Sequence, residues 1–179
     1  PGDASSGTQL VHSGATVQSG QSFSTSASVS LAAADTLNGF DVTVSFDPAV
    51  VKPTGVSIDG VWNIPLDSGT IGANTVHVAA SRIGSCTGSC PLFSLNWKAQ
   101  GSGDAKVKAA SFVLVGKQSD VAGNLAQVTP AFAAVIVSGP ANSTATATNT
   151  PIPPTATKTA LPVTHTPRPA TSTPVGANT

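Results

Sequence analysis

The feature that most constrains this chain is a strict alternation of apolar and polar residues. Phe23, Thr25, Ala27, Val29 and Leu31 alternate with Ser22, Ser24, Ser26, Ser28 and Ser30. Phe40, Val42, Val44 and Phe46 alternate with Asp41, Thr43 and Ser45. Successive side chains of a β-strand point to opposite faces, so a period of two makes strands with one face in a core and one in water. Helix is disfavoured by composition too. Glu and Met are absent, while Ser, Thr, Ala, Gly and Val dominate, a set that suits strands and turns.

Further strands are expected at Thr8 to Val11, Val50 to Ile58, Thr75 to Ile83, Leu92 to Ala99, Ala105 to Ala110, Phe112 to Val115 and Phe132 to Val137. Turn chemistry separates them at Ser19-Gly20, Leu37-Asn38-Gly39, Asp47-Pro48, Asp59-Gly60, Gly101-Ser102-Gly103 and Ala122-Gly123-Asn124. Eight or nine short strands spaced this way predict an all-β fold, an antiparallel two-sheet sandwich or jelly roll. Phe23, Phe40, Phe46, Phe93, Leu95, Trp97, Phe112 and Phe132 are the expected aromatic and aliphatic filling between the sheets.

The composition changes near Ser138, which predicts a sandwich domain over 1–138 and a Pro/Thr-rich extended tail or linker over 139–179. The net charge is +0 and 9% of residues are charged, so the chain lacks the basic stripe that nucleic acid or an anionic membrane surface requires. No apolar run approaches the roughly 20 residues that span a bilayer, so no membrane insertion is expected. The sequence opens at Pro1 without a Met, as expected of a mature exported product or of a trimmed piece. Cys86 and Cys90 are the only cysteines. A metal site would want four ligands and no second pair stands near, so a short-loop disulfide in an extracellular or cell-surface protein is the expectation.

The segment from Leu37 to Gly60, LNGFDVTVSFDPAVVKPTGVSIDG, resembles the early strands of the cohesin-like family of extracellular β-sandwiches. Gly39, Phe40, Val42, Val44, Phe46, Asp47, Pro48 and Val50 match that family's strand, turn and strand phrase, and Val51 stands where the pattern has Leu. The late segment GKQSDVAGNLAQVTPAFAAVIVSG resembles the family's closing hairpin, with a D-x-x-G-N turn before the last strand. The phrase is shared by related carbohydrate-binding folds. The resemblance implies a jelly-roll sandwich and a tendency towards protein–protein contact, the best-known partners being calcium-loaded dockerin helices. It carries over no contact residue, and the middle section with Cys86, Cys90 and Trp62-Asn63-Ile64-Pro65 departs from the pattern.

Catalytic apparatus is not expected. His12, His77 and His165 accompany no G-x-S-x-G nucleophile motif. With no Glu, a glycosidase pair would have to come from aspartates that mostly occur singly at expected turns, where Asp caps its own backbone. Asp120 to Asn124 reads as a plain hairpin turn, without the ligand-rich loop calcium needs. No cofactor is expected.

The 139–179 sequence lacks an apolar face to offset ordering entropy and reads as disordered or polyproline II-like. Some 40 residues extended at about 3.1 Å each would reach roughly 120 Å. Asn142 of Asn142-Ser143-Thr144 is an N-glycosylation acceptor. Thr144, Thr146, Thr148, Thr150, Thr155, Thr157, Thr159, Thr164, Thr166, Thr171 and Thr173 are O-glycosylation candidates of the mucin-like kind. An unmodified linker is the alternative. Three functions follow as expectations: a self-associating subunit of a surface filament or layer, an adaptor for another extracellular protein such as a dockerin-type partner, or a carbohydrate-binding module. Trp62 is the one candidate sugar-contact aromatic.

Overall fold

In the computed structural model the described residues are 7–118 and 120–139. The chain divides into Pro1–Ser143 and Thr144–Thr179, and the described residues all fall in the first unit. Among them are thirteen strands and no helix: β1 (Thr8–His12), β2 (Ala15–Gln18), β3 (Ser22–Ser30), β4 (Thr36–Ser45), β5 (Val51–Ile58), β6 (Ile64–Ile71), β7 (Thr75–Cys86), β8 (Ser89–Ala99), β9 (Gly103–Asp104), β10 (Lys108–Gln118), β11 (Val121–Asn124), β12 (Val128–Phe132) and β13 (Val135–Ser138). None of them is a helix long and apolar enough to cross a membrane.

Two five-stranded sheets, ordered β12-β1-β3-β8-β5 and β11-β10-β4-β7-β6, form the sandwich, with a small β2-β13-β9 sheet at one end. The alternation selects the inner faces. Thr25, Ala27 and Val29 of β3 and Phe40, Val42 and Val44 of β4 are buried, while their serine and aspartate neighbours look outward. Leu95 and Trp97 of β8, Val76 and Val78 of β7 and Leu114 of β10 complete the middle of the core. Each such Val or Leu contributes about 1.5–3 kcal/mol on burial. Of the expected filling, Phe40, Phe46, Phe93, Leu95 and Trp97 are buried, whereas Phe23, Phe112 and Phe132 are only partly buried against the core.

Several expectations need correction. Leu37-Asn38-Gly39 is not a turn but part of β4, paired with β7 and β10. Ala122-Gly123-Asn124 lies in β11, which pairs antiparallel with β10, so the late segment turns before Val121. Ala105 to Ala110 and Phe112 to Val115 are not two strands; Ala105 to Val107 lie outside any strand and the rest is the single β10. The expected last strand is two, β12 and β13. Strands β2, β6, β9 and β11 lie outside every expected strand segment, and Gly103 of the expected Gly101-Ser102-Gly103 turn begins β9.

Strand β1 runs parallel to β12, with Thr8 opposite Val128 and His12 opposite Phe132. Strand β2 runs parallel to β13, with Ala15 opposite Val135 and Gln18 opposite Ser138. The Cys86–Cys90 disulfide, expected from sequence, closes where the chain passes from β7 in one sheet to β8 in the other.

Candidate docking face

The two large sheets differ in what their strands expose. On the sheet ordered β12-β1-β3-β8-β5, Ser22, Ser24, Ser26, Ser30, Asn96 and Lys98 are exposed. Nine large hydrophobic residues are exposed among the described residues, and seven of them (Ile64, Leu66, Ile71, Ile83, Val113, Val115 and Val121) belong to strands of the β11-β10-β4-β7-β6 sheet. None belongs to the opposite sheet. Leu66, at 69%, is bare enough that solvation disfavours leaving it uncovered.

Strand register builds rows across this face. Val113 of β10 stands opposite Asp41 of β4, Asp41 opposite Ala79 of β7, and Ala79 opposite Asp67 of β6. In the neighbouring row, Ser111, Thr43, His77 and Thr70 follow one another across the same strands. His77 therefore sits diagonally between the two aspartates. Its Nδ1 lies 2.7 Å from Asp67 Oδ2 and its Nε2 2.8 Å from Asp41 Oδ1.

A bulge aims Asp67. The β6 register shifts between Asp67 and Thr70, and Gly69 between them holds φ +116°, a conformation that glycine adopts without strain. The backbone N–H groups of Gly69 and Thr70 then donate to Asp67 Oδ1, at 2.9 and 3.0 Å. Those donors, Gly69 first and then the His77 ring, hold the Asp67 carboxyl at a pKa of about 2. Hydrogen bonds to Asp41 and then Asp67 push His77 above its ordinary value. Beside the cluster, Asn38, Gly39, Phe40, Asp41, Leu66, Ala80, Ser81, Arg82 and Val115 line a largely apolar cavity of about 280 Å³. Small residues make the hollow: a Cβ on Gly39 would sit 3.4 Å from the Ala80 carbonyl.

The other sequence candidates fall elsewhere. Trp62 is not an exposed sugar platform: it is 4% exposed, packs edge-on against Phe40 with centroids 5.0 Å apart, and donates its indole N–H to the Pro91 carbonyl at 2.6 Å. A loop residue with so large an apolar side chain covers the end of the core instead. Asp120 pairs with Lys117 at 2.8 Å. No cluster of three His, Cys, Asp or Glu among the described residues could hold a metal ion. His12 is buried and stacked on Phe132, with ring centroids 5.0 Å apart. Asn142, His165 and the tail threonines lie outside the described residues. Sequence reading missed the Asp41–His77–Asp67 cluster, because its members are 36 and 10 residues apart and join only through strand register.

No protein-family model matches the chain, and no curated protein sequence matches it. Solved structures do. A non-cellulosomal cohesin from the archaeon Archaeoglobus fulgidus is similar with a TM-score of 0.58 and 12% identity, covering 74% of this chain and 92% of that one. The seventh ScaB type I cohesin from Pseudobacteroides cellulosolvens gives 0.58 and 10%, covering 75% and 94%. The sixth cohesin of scaffoldin B from Acetivibrio cellulolyticus, in complex with a dockerin, gives 0.58 and 14%, covering 74% and 100%. At such identities the likeness is one of fold, and with strand order, core and disulfide already placed, the described domain is a cohesin-like β-sandwich.

Proposed function

We propose that this chain is a non-enzymatic extracellular assembly module, working by protein–protein contact through the outer face of the β11-β10-β4-β7-β6 sheet, with a second copy of the chain as its partner. The observation that carries the reading is the asymmetry of the sheets: seven of nine exposed large hydrophobics belong to strands of this sheet, with Val113, Val115 and Ile64 in its outward rows, and none belongs to the other sheet. Exposed apolar side chains rimmed by polar groups are the usual mark of a protein contact.

A second copy is favoured by charge. Residues 1–139 carry six Lys and Arg against eight Asp, a net −2, whereas residues 140–179 carry Lys158 and Arg168 and no acid, a net +2. Opposite signs on the two parts of one sequence make copies electrostatically complementary to each other. Face contact is favoured over strand addition because, in the two large sheets, three of the four edge strands contain proline, Pro53 in β5, Pro65 in β6 and Pro130 in β12, and the fourth, β11, has four residues. Proline and short length blunt sheet edges. Such contacts would build a surface filament or layer, with glycans on Asn142 and the tail threonines. The disulfide and the cohesin-like fold support an extracellular location.

A dockerin-type partner is the second reading. Several of the similar structures, among them the cohesins OlpA and OlpC of Clostridium thermocellum and the Acetivibrio cellulolyticus cohesin above, are complexes with dockerins. The carbohydrate reading loses its aromatic with the burial of Trp62.

The test is sedimentation velocity and negative-stain microscopy of the native chain and of Leu66→Asp. Concentration-dependent assembly that Leu66→Asp abolishes is the expected result. A monomer at all concentrations, or assembly indifferent to Leu66→Asp, overturns the homotypic reading, and dockerin capture by such a monomer selects the second.

A further inference from the structure

The two carboxylates around His77 are not equivalent. Asp67 is committed on all sides: Oδ1 accepts from the Gly69 and Thr70 N–H groups, and Oδ2 takes the Thr70 hydroxyl at 2.9 Å and the His77 ring. The Asp41 side chain is 55% exposed and meets His77 at its solvent side, beside the apolar cavity. A neutral imidazole carries one N–H, so two carboxylate contacts at 2.7 and 2.8 Å are both hydrogen bonds only when the ring is imidazolium. The cluster then bears −1.

We propose that Asp41, His77 and Asp67 form a proton-coupled docking site: a Lys or Arg side chain of the second copy displaces His77 from Asp41 while a neighbouring apolar side chain fills the cavity beside Leu66 and Val115. The proton balance closes. His77 releases its Nε2 proton to solvent and keeps Nδ1–H on Asp67. The cluster passes from −1 to −2, and the incoming cation restores −1. This rests on the docking-face reading above and adds its chemistry and regulation.

Among the described residues the charged groups facing His77 are Asp41 from β4 and Asp67 from β6. Strand β10 offers Ser111 in the row of His77, Val113 and Lys108 in the outward rows on either side, and Arg82 stands five residues along β7. The carboxylates that hold His77 protonated above its ordinary range also set where coupling operates. Wherever free His77 is protonated, docking releases up to one proton and tightens by up to about tenfold per pH unit. Above the titration of His77 the affinity levels off.

The test measures self-association of the full chain by sedimentation velocity from pH 5.5 to 9, with His77 followed by NMR in the monomer. The expected wild-type dissociation constant falls with pH and flattens where His77 titrates, and calorimetry in two buffers of different ionisation enthalpy registers proton release. Asp41→Asn should weaken association and, like His77→Gln, flatten the profile. A wild-type profile that is flat, while Leu66→Asp still abolishes association, overturns the proton coupling and leaves the docking face standing. Association unchanged by Leu66→Asp, or absent at every pH, overturns the docking face and the coupling with it.

Discussion

Trp97 donates its indole N–H to the Thr25 hydroxyl at 2.8 Å, in the middle of the sandwich. The same hydroxyl meets His12 Nε2 at 2.9 Å, and all three side chains are buried. One short polar side chain thus serves two large ones that could not otherwise be buried at low cost.

Thr25→Val keeps the shape and removes the hydroxyl, leaving two buried groups without their partner. We expect a loss of about 3 kcal/mol in urea unfolding, since each orphaned group costs about 1–3 kcal/mol. A loss below about 1 kcal/mol would count against the network.

Burial lowers the His12 pKa to about 4. In the unfolded chain His12 titrates near its ordinary 6.5, so the unfolded state binds more protons between these values. The contribution of His12 is therefore complete above pH 6.5 and is lost as pH falls to 4, by about 3 kcal/mol. His77 acts in the opposite sense, because its folded value is raised. Its contribution is present below 6.5 and is lost as pH rises through the folded value. Unfolding free energy measured against pH should peak near 6.5, and His12→Asn, whatever its overall cost, should remove the acid-side slope.

Gly69 shapes the Asp67 bulge. A Cβ there would fall 2.5 Å from Val56 Cβ, with φ at +116°. Gly69→Ala should cost about 1–3 kcal/mol and, by turning Asp67 away, return the His77 titration towards its ordinary value. An unchanged His77 titration by NMR would mean that the bulge does not position the carboxylate.

The disulfide closes a loop of few residues, so the double variant Cys86→Ala, Cys90→Ala should lose about 2 kcal/mol in the chain-entropy account. Because Cys86 pairs with the row of Leu37 and Cys90 with that of Val29, hydrogen exchange should rise first at those two strand ends. Uniform protection across them would show that the sheets hold the corner unaided.

Strands β3 and β4 were legible because nothing interrupts their alternation. Strand β6 was not, since its two register shifts at Pro65 and at Asp67 to Thr70 break the period of two. Asn38-Gly39 and Gly123-Asn124 look like turns in sequence because those residues favour turns locally, yet sheet pairing on both sides of β4, and with β10 for β11, overrides that preference. Trp62 stands in a loop and so reads as exposed, but its indole finds Phe40 and the Pro91 carbonyl. The docking face depended on which side of each strand turned outward together, a property of register that no single segment contains.

The parallel pairings of β1 with β12 and of β2 with β13 carry a mechanical consequence. Chain pulled away beyond Ser138 and back beyond Thr8 draws each pair along its own length, in opposite directions. Hydrogen bonds in both ladders would then be loaded in shear and would have to break together, where a hairpin pulled at its open end gives way one bond at a time. Tension along a string of such domains would meet its resistance in these two short seams, well before the core between the large sheets is disturbed.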